Sequence, residues 1–360
     1  MSLILKSTAR LTVPPLYLDI GGLPNVGLPV LARADFENEA YSLNGQARTF
    51  ADMFTQVAGA AASYYDPASA TIRTVATGTP LMRGPMGRKA LVLAGLDATL
   101  FHGTATGSQT LTFSASAWNG KTVMIAVWGR DASLTVSGDC TVIGGNSVAR
   151  TYAPLAVTLS APGGATNGTL TLTVGANAVF WMVTRYPVVD GSGPPSFVDR
   201  SYATTAGVVS AAAGARTHVF RVEYLKYVGF DTAARVGLEI ASSTHLLWVM
   251  SQPSGQSVFK VADAAGNTLL QEPLTSGSPI YQPVTVAIAT DPAAGTIRVA
   301  ANGELVTTYK GVASGWAPSG ITLGRVPRSA TTPRCMITQS ALLQGAATDS
   351  QLRGLSSAFI

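Results

Sequence analysis

"TIRVAANGELVTTYKG", Thr296 to Gly311, decides the fold class. Successive side chains of an extended chain point to opposite faces. Ile297, Val299 and Ala301 therefore share one face before Asn302-Gly303. After it, Leu305, Thr307 and Tyr309 share one face, and Val306 and Thr308 the other. Asn and Gly both tolerate positive φ, as a tight turn matching the twist of its flanking strands requires. The stretch is a β-hairpin, and few of its side chains are chemically reactive.

The same rhythm runs outward in both directions. Residues 201–360 read as strands separated by turns, among them "RTHVFRVEYL", "HLLWVMSQ", "SVFKVADAAGN" and "RCMITQSALL". Residues 104–190 repeat the pattern in "QTLTFSASAW", "KTVMIAVWG" and "TLTLTVGANAVFWMVTRY". Short strands broken by Gly, Asn and Asp are what two packed antiparallel sheets need. "VVDGSGPPSFVDR", Val188 to Arg200, concentrates Gly, Ser and Pro, and residues 191–200 read as a linker. The expectation is an all-β chain of two antiparallel, jelly-roll-like β-sandwiches, over 104–190 and 201–360.

The ends differ. Residues 1–34 are apolar, yet Pro14, Pro15, Pro24 and Pro29 forbid a continuous helix or a central strand there. They read as an extended anchoring arm lying on a neighbouring subunit; an edge segment of the first domain is the alternative. Residues 35–103 read as a mixed region packing on the first sandwich. It holds a helix from Phe50 to Ala62, with Asp52 in its first turn, and a buried strand from Lys89 to Leu96. At the other end, "TDSQLRGLSSAFI" offers Thr348 as N-cap and Leu352 and Leu355 on one face, which predicts a short C-terminal helix.

Composition narrows the function classes. Of the 360 residues 47% are hydrophobic and only 12% are charged, and no apolar run approaches the ~20 residues that span a membrane. The net charge of +5 is spread thinly, with no basic run beyond Arg88-Lys89, so no nucleic-acid surface is expected. A weakly charged surface invites association, and a homo-oligomer is expected. Cys140 and Cys335 read as two free, partly buried thiols. The start "MSLILKSTARLTVPP" places its apolar run before its basic residues, the reverse of a secretory signal, so no classical export is expected.

Reactive groups are sparse. His102, His218 and His245 have no second ligand at metal spacing, and no nucleophile elbow, P-loop or dinucleotide fingerprint is present. Glycoside cleavage needs only two carboxylates across a sugar. Glu223 and Glu239, placed on adjacent predicted strands, are the catalytic candidates, with solvent-facing roles as the alternative. Asp190, Asp199 and Asp231 lie in loops as weak calcium candidates; otherwise no cofactor or metal is expected.

Aromatic residues point elsewhere. Trp128, Trp181 and Trp248 sit inside apolar strands and read as core. Trp118, Trp316, Tyr64 and Tyr65 lie at strand ends or in loops among small polar residues, with Asn119 beside Trp118. These are the candidates for sugar-stacking platforms; as alternatives they plug the ends of a sandwich.

Three ordered segments carry a resemblance. "ADFENEAYSLNGQARTFADMFTQ", Ala34 to Gln56, resembles the opening of many tailed-phage and prophage virion proteins, and "KALVLAGLDATLF", Lys89 to Phe101, occupies the place of a later family strand while lacking its Glu and Asn. "ASLTVSG" and "GTLTLTVGANAVFWMVTRYPVVDGSGPPSFVD" are similar to the family's carbohydrate-binding-module-like sandwich. "VTVAIATDPAAGTIRVAANGEL", "ITLGR" and "AATDSQLRGL" resemble, in order, the concanavalin-A/laminin-G lectin-like fold. The resemblance implies a non-enzymatic fibre or spike, on the head or tail of a tailed phage or gene-transfer-agent-like particle, that binds host capsular or other surface polysaccharide. It implies synthesis in the bacterial cytoplasm, display on the virion surface, attachment to other virion proteins through residues 1–34, and a homotrimer. A capsule-degrading glycosidase or lyase, or a decoration protein without ligand, are the alternatives.

Overall fold

A computed structural model describes residues 22–58, 62–66, 71–76, 89–94, 99–145, 147–150, 153–184, 201–205, 214–224, 235–252, 256–275, 283–311, 320–323 and 334–357. The first part of the chain supplies β1 (Val30–Asp35), β2 (Ala40–Leu43), β3 (Gln46–Arg48), the one-turn helix α1 (Phe50–Met53), β4 (Phe54–Ala58), β5 (Ala62–Asp66), β6 (Thr71–Val75) and β7 (Leu91–Ala94). The middle supplies β8 (Thr99–Gly103), β9 (Gly107–Ser114), α2 (Ala115–Trp118), β10 (Thr122–Trp128), β11 (Ser133–Gly138), β12 (Cys140–Val142), β13 (Val148–Arg150), β14 (Leu155–Leu159), β15 (Asn167–Val174) and β16 (Phe180–Thr184). The last part supplies β17 (Ser201–Thr205), β18 (Arg216–Tyr224), β19 (Arg235–Ala241), β20 (His245–Ser251), β21 (Ser257–Asp263), β22 (Thr268–Pro273), β23 (Val284–Asp291), β24 (Thr296–Ala301), β25 (Glu304–Lys310), β26 (Gly320–Leu323), β27 (Arg334–Gln344) and the helix α3 (Asp349–Ser357).

These strands make two sandwiches, as the alternation predicts. The larger packs a nine-stranded sheet, ordered β25-β24-β23-β18-β27-β1-β2-β3 with β7 also on β27, against a seven-stranded sheet ordered β22-β21-β20-β19-β26-β17-β4. The smaller packs β12-β14-β10-β16-β8 against β13-β11-β15-β9. Every strand pairing is antiparallel, and β5 and β6 form a separate hairpin.

The N-terminal part departs from expectation. Strands β1 to β3 and β7 join the nine-stranded sheet and β4 joins the seven-stranded one, so these strands complete the larger sandwich, while β8, at the end of the region, is itself a strand of the smaller. The smaller sandwich, from Thr99 to Thr184, is thus inserted within the larger. Aromatic packing explains the pairing. Phe36, Tyr41, Phe50 and Phe54 contact one another with ring centroids 5.3–6.4 Å apart, inside the core shared with Phe220, Leu247 and Phe259.

Helix α1 is correspondingly short. Thr49 and Asp52 form a capping box, but the helix stops at Met53, where Phe54 turns extended to pair with Thr205. Strand pairing outweighs helix propensity over 54–58, and the expected helix to Ala62 does not form.

Residues 30–34 are likewise no external arm. Strand β1 lies between β27 and β2, and Leu23, Val26, Leu28 and Val30 pack on the chain's own small cluster beneath α3. Their apolar side chains are partly buried there, and the backbone is tied to the chain as Gln351 Nε2 donates to the Val26 carbonyl at 2.6 Å and Gln344 N–H to the Pro29 carbonyl at 2.8 Å. The remainder of the expected arm, residues 1–21, lies outside the described residues, as does the linker 191–200.

The opening hairpin forms with Asn302 at φ 48° and Gly303 at φ 86°. Ile297, Val299 and Ala301 are core, as their shared face requires. The second strand carries an irregularity: Val299 pairs with Thr307 and Ala300 with Leu305, which leaves Val306 as an extra residue. The bulge turns Val306 and Tyr309 toward the main core and Leu305 toward the α3 cluster, so Leu305 and Tyr309 do not share a face.

Helix α3 covers the outside of the nine-stranded sheet. Thr348 caps it: Gln351 N–H donates to Thr348 Oγ1 at 3.3 Å and Thr348 N–H to Gln351 Oε1 at 2.8 Å. Ala287, Ala289, Ala300 and Ala341 are small enough to let Leu352 and Leu355 reach the sheet. The hairpin tip is tied to the same helix, since Gly303 N–H donates to Ser356 Oγ at 3.0 Å. Replacing Leu352, fully buried here, with Ala should cost about 2–5 kcal/mol, read from the denaturant midpoint.

His218 gives the larger core a pH dependence. It lies between Ile288 and Leu342 in the sheet, and its buried Nε2 has no hydrogen-bond partner among the described residues. Burial, with the nearby Arg216 charge, pushes its pKa down to about 3. The imidazole is therefore neutral in the fold but takes a proton below about 6.5 when unfolded. Its contribution is intact above about pH 6.5 and is lost as pH falls toward 3, at up to about 1.4 kcal/mol per pH unit. His218→Leu should flatten the fall in melting temperature between about pH 6.5 and 5.

Candidate functional site

The outer face of the seven-stranded sheet carries a row of polar side chains built around one tryptophan. Leu238 and Ile240 of β19, Leu247 and Val249 of β20, Phe259 and Val261 of β21, and Ile321 and Leu323 of β26 all point into the core. Alternation then directs Glu239, Trp248, Lys260 and Thr322 to the opposite face. The register places them in one row: Thr322 opposite Glu239, Glu239 opposite Trp248, Trp248 opposite Lys260 and Lys260 opposite Gln271. The same line continues along the backbone to Thr204 and Thr55 on the last two strands.

The row is internally organised. The Trp248 indole N–H donates to Glu239 Oε2 at 2.6 Å, and Glu239 is only 3% exposed. Lys260 Nζ stands 4.7 Å from the centre of the Trp248 ring, a cation–π contact worth about 0.5–2 kcal/mol. Partial burial lowers the pKa of the Lys260 ammonium. The indole is half-buried and held from both sides, by a carboxylate on its N–H and an ammonium over its ring. Gln271 is exposed and Thr322 half-buried, so amide and hydroxyl groups flank the ring. An aromatic plate set among donors and acceptors suits a ligand with apolar C–H faces and many hydroxyls.

Trp248 was expected in the core, because its strand is apolar throughout. Trp128 and Trp181 are buried at 3% and 4%, but Trp248 is not. The alternation Leu247-Trp248-Val249 was the available signal: with Leu247 and Val249 inward, the residue between them faces out.

The sequence-derived platforms are placed differently. Trp118 ends helix α2 and is half-buried against the core of the smaller sandwich. Asn119 is exposed, but its Oδ1 accepts the Ala161 N–H at 3.0 Å and so ties two loops together. Tyr64 and Tyr65 lie in β5, opposite Arg73 and Ile72, with their side chains outside the description. Trp316, Asp190, Asp199 and Asp231 lie outside the described residues. Among the described residues no three metal-ligating side chains come together, and no helix is long and apolar enough to cross a membrane.

The proposed carboxylate pair does not assemble. Glu223 lies between Val222 and Tyr224, both core residues of the nine-stranded sheet, so it faces that sheet's outer side. Glu239 faces the outer side of the other sheet. The two strands are not adjacent, and the sheets between the carboxylates pack about 10 Å apart at their backbones, with the core between them. Two carboxylates acting on one glycosidic bond face each other across the sugar at about 5–9.5 Å, which this arrangement forbids.

No protein-family model and no curated protein matches the sequence. Among solved structures, the CBM40 module of the Ruminococcus gnavus IT-sialidase bound to α2,6-sialyllactose aligns with TM-score 0.33 and 16% identity, covering 40% of this chain and 84% of that one. The binding domain of botulinum neurotoxin DC in complex with rat synaptotagmin II aligns at 0.34 and 15%, over 45% of this chain and 41% of that one. A botulinum neurotoxin type C structure, described with two ganglioside molecules in cell entry, aligns at 0.34 and 13%, over 45% and 41%. Likenesses this distant assign neither a family nor a ligand.

Trp248→Phe keeps a ring on the sheet but removes one donor from the Glu239 carboxylate. The loss of this hydrogen bond to a buried acceptor should lower stability by about 1–3 kcal/mol, measured by denaturant unfolding.

Proposed function

We propose that this chain binds carbohydrate on the outer face of its seven-stranded sheet and does not cleave it. The observation that carries the reading is the Trp248 indole, fixed on that face by Glu239 and Lys260 with Gln271 and Thr322 alongside. A pre-positioned ring loses little side-chain freedom when a sugar stacks on it, and ordering costs commonly consume part of an interface's gain. The flanking ammonium, amide and hydroxyl supply hydrogen bonds that orient a polyhydroxylated ligand. The separation of Glu223 from Glu239 favours binding over hydrolysis at this pair.

The setting we infer is a virion fibre or spike of a tailed phage or related particle that grips host surface polysaccharide. Its support is the order of the three resembling segments, Ala34–Gln56, the middle sandwich and the C-terminal hairpin-to-helix run. Binding to arrays of bacterial surface polysaccharides, followed by titration, tests the reading. The full chain is expected to bind, Trp248→Ala to weaken binding at least ~10-fold, equivalent to about 1.4 kcal/mol, and Lys260→Ala to weaken it less. Trp118→Ala is expected to lower stability while leaving affinity unchanged. Absence of binding, or a Trp248→Ala protein that binds as well as the parent, rejects the site.

A further inference from the structure

Among the described residues nine strands of the four large sheets leave an edge unpaired, and eight of them are guarded. Strands β3, β12 and β13 are three residues long, β7 four, and β4 and β8 five. Strand β25 is bulged at Val306 and bears Glu304 and Lys310. Strand β22 carries a register shift, Glu272 and Pro273. Short length, bulges, charge and proline are the devices that stop a free edge from pairing with another chain.

Strand β9, "GSQTLTFS", has none of them. It is eight residues long, pairs with β15 at all eight positions without a register shift, and contains no charge and no proline. Among the described residues no strand lies on its other side. Ser108, Thr110, Thr112 and Ser114 are exposed, while Leu111 and Phe113 lean into the smaller core.

We propose that β9 is a two-fold docking edge for a second copy of this chain, pairing antiparallel with the partner's β9 about Leu111. The exposed face is self-complementary in that arrangement, while on the other face Gln109 lies opposite the partner's Phe113. Leu111 meets the partner's Leu111, which joins the two small cores. Thr110 faces the partner's Thr112 and Ser108 the partner's Ser114, so hydroxyls meet hydroxyls on the exposed face. Two-fold pairing sets a strand against itself, and any charge on it tends to meet its like; a strand free of charge avoids that repulsion. The two four-stranded sheets become one of eight strands. An isologous edge closes on itself, so the product is a dimer and not the trimer that the fibre resemblance implies.

Size-exclusion chromatography with light scattering on the full chain at high micromolar concentration tests this. A dimer is expected. Thr110→Lys with Thr112→Lys sets lysine against lysine across the two-fold and should give a monomer with unchanged circular dichroism and melting temperature. Thr110→Glu with Thr112→Glu should do the same, and mixing the lysine and glutamate chains should restore the dimer mass. Independently of any variant, amide exchange in β9 should slow as protein concentration rises. A monomeric or trimeric parent, a dimer that survives the charged pairs, or β9 exchange indifferent to concentration overturns the proposal.

Discussion

Strand β27 is the member on which the larger sandwich depends. One edge pairs with β18 along its length. The other is shared by two N-terminal strands, Arg334–Ile337 with β7 and Gln339–Leu343 with β1. The division falls at Thr338, the extra residue of a bulge, whose carbonyl accepts the Phe36 N–H at 2.9 Å. Phe36 itself is fully buried at the centre of the aromatic cluster. The sandwich therefore closes only when residues near position 34 meet residues near position 340. Such contacts carry a high loop-closure cost and form slowly, whereas the strands of the smaller sandwich lie within one continuous segment. Insertion of that segment between β7 and β17 is possible because both flanking strands belong to the sandwich that receives it.

Much of the strand content was legible because alternation is a local property. The Asn302-Gly303 turn, the inward face of Ile297, Val299 and Ala301, and the Thr348-capped helix with Leu352 and Leu355 each follow from a few neighbouring residues. Partnership is not local. Nothing near Phe54 states that it pairs with Thr205, and without that partner the 50–62 stretch reads as helix. The prolines before β1 point to extended backbone, which is present, but not to whose surface it covers. The bulge at Val306 was equally hidden, since a one-residue slip changes which face a side chain takes without changing the composition of the strand.

The two outer faces of the larger sandwich show how similar strands serve different ends. Outside the nine-stranded sheet, alanines give a helix room to seat its leucines, and the result is a second small core. Outside the seven-stranded sheet, the central row holds a carboxylate, an indole and an ammonium. A helix seated on that row would take the half-exposed Lys260 ammonium out of water, and buried charges are costly unless paired. The row thus favours a face left open at Lys260 and Trp248, both of which are half-exposed. Trp248 escaped notice in the sequence because hydropathy judges it by its apolar neighbours, whereas its role depends on residues 9 and 12 positions away that only the sheet register brings beside it.

Scarcity of charge links the proposed binding row to the unguarded edge. With 12% charged residues, the chain cannot protect every edge by lysine and must rely on length, bulges and proline. Where those are absent, as on β9, an edge is left that another strand can satisfy. A single row of one aromatic and a few polar groups offers a small contact, and small contacts bind weakly. Two copies joined through the smaller sandwich would present two such rows to a repeating ligand, and linkage of that kind raises avidity by roughly 10²–10⁴ when the geometry allows both to engage. The larger sandwich would then supply the contact with the ligand, and the smaller one, inserted at its side, the means of displaying that contact more than once.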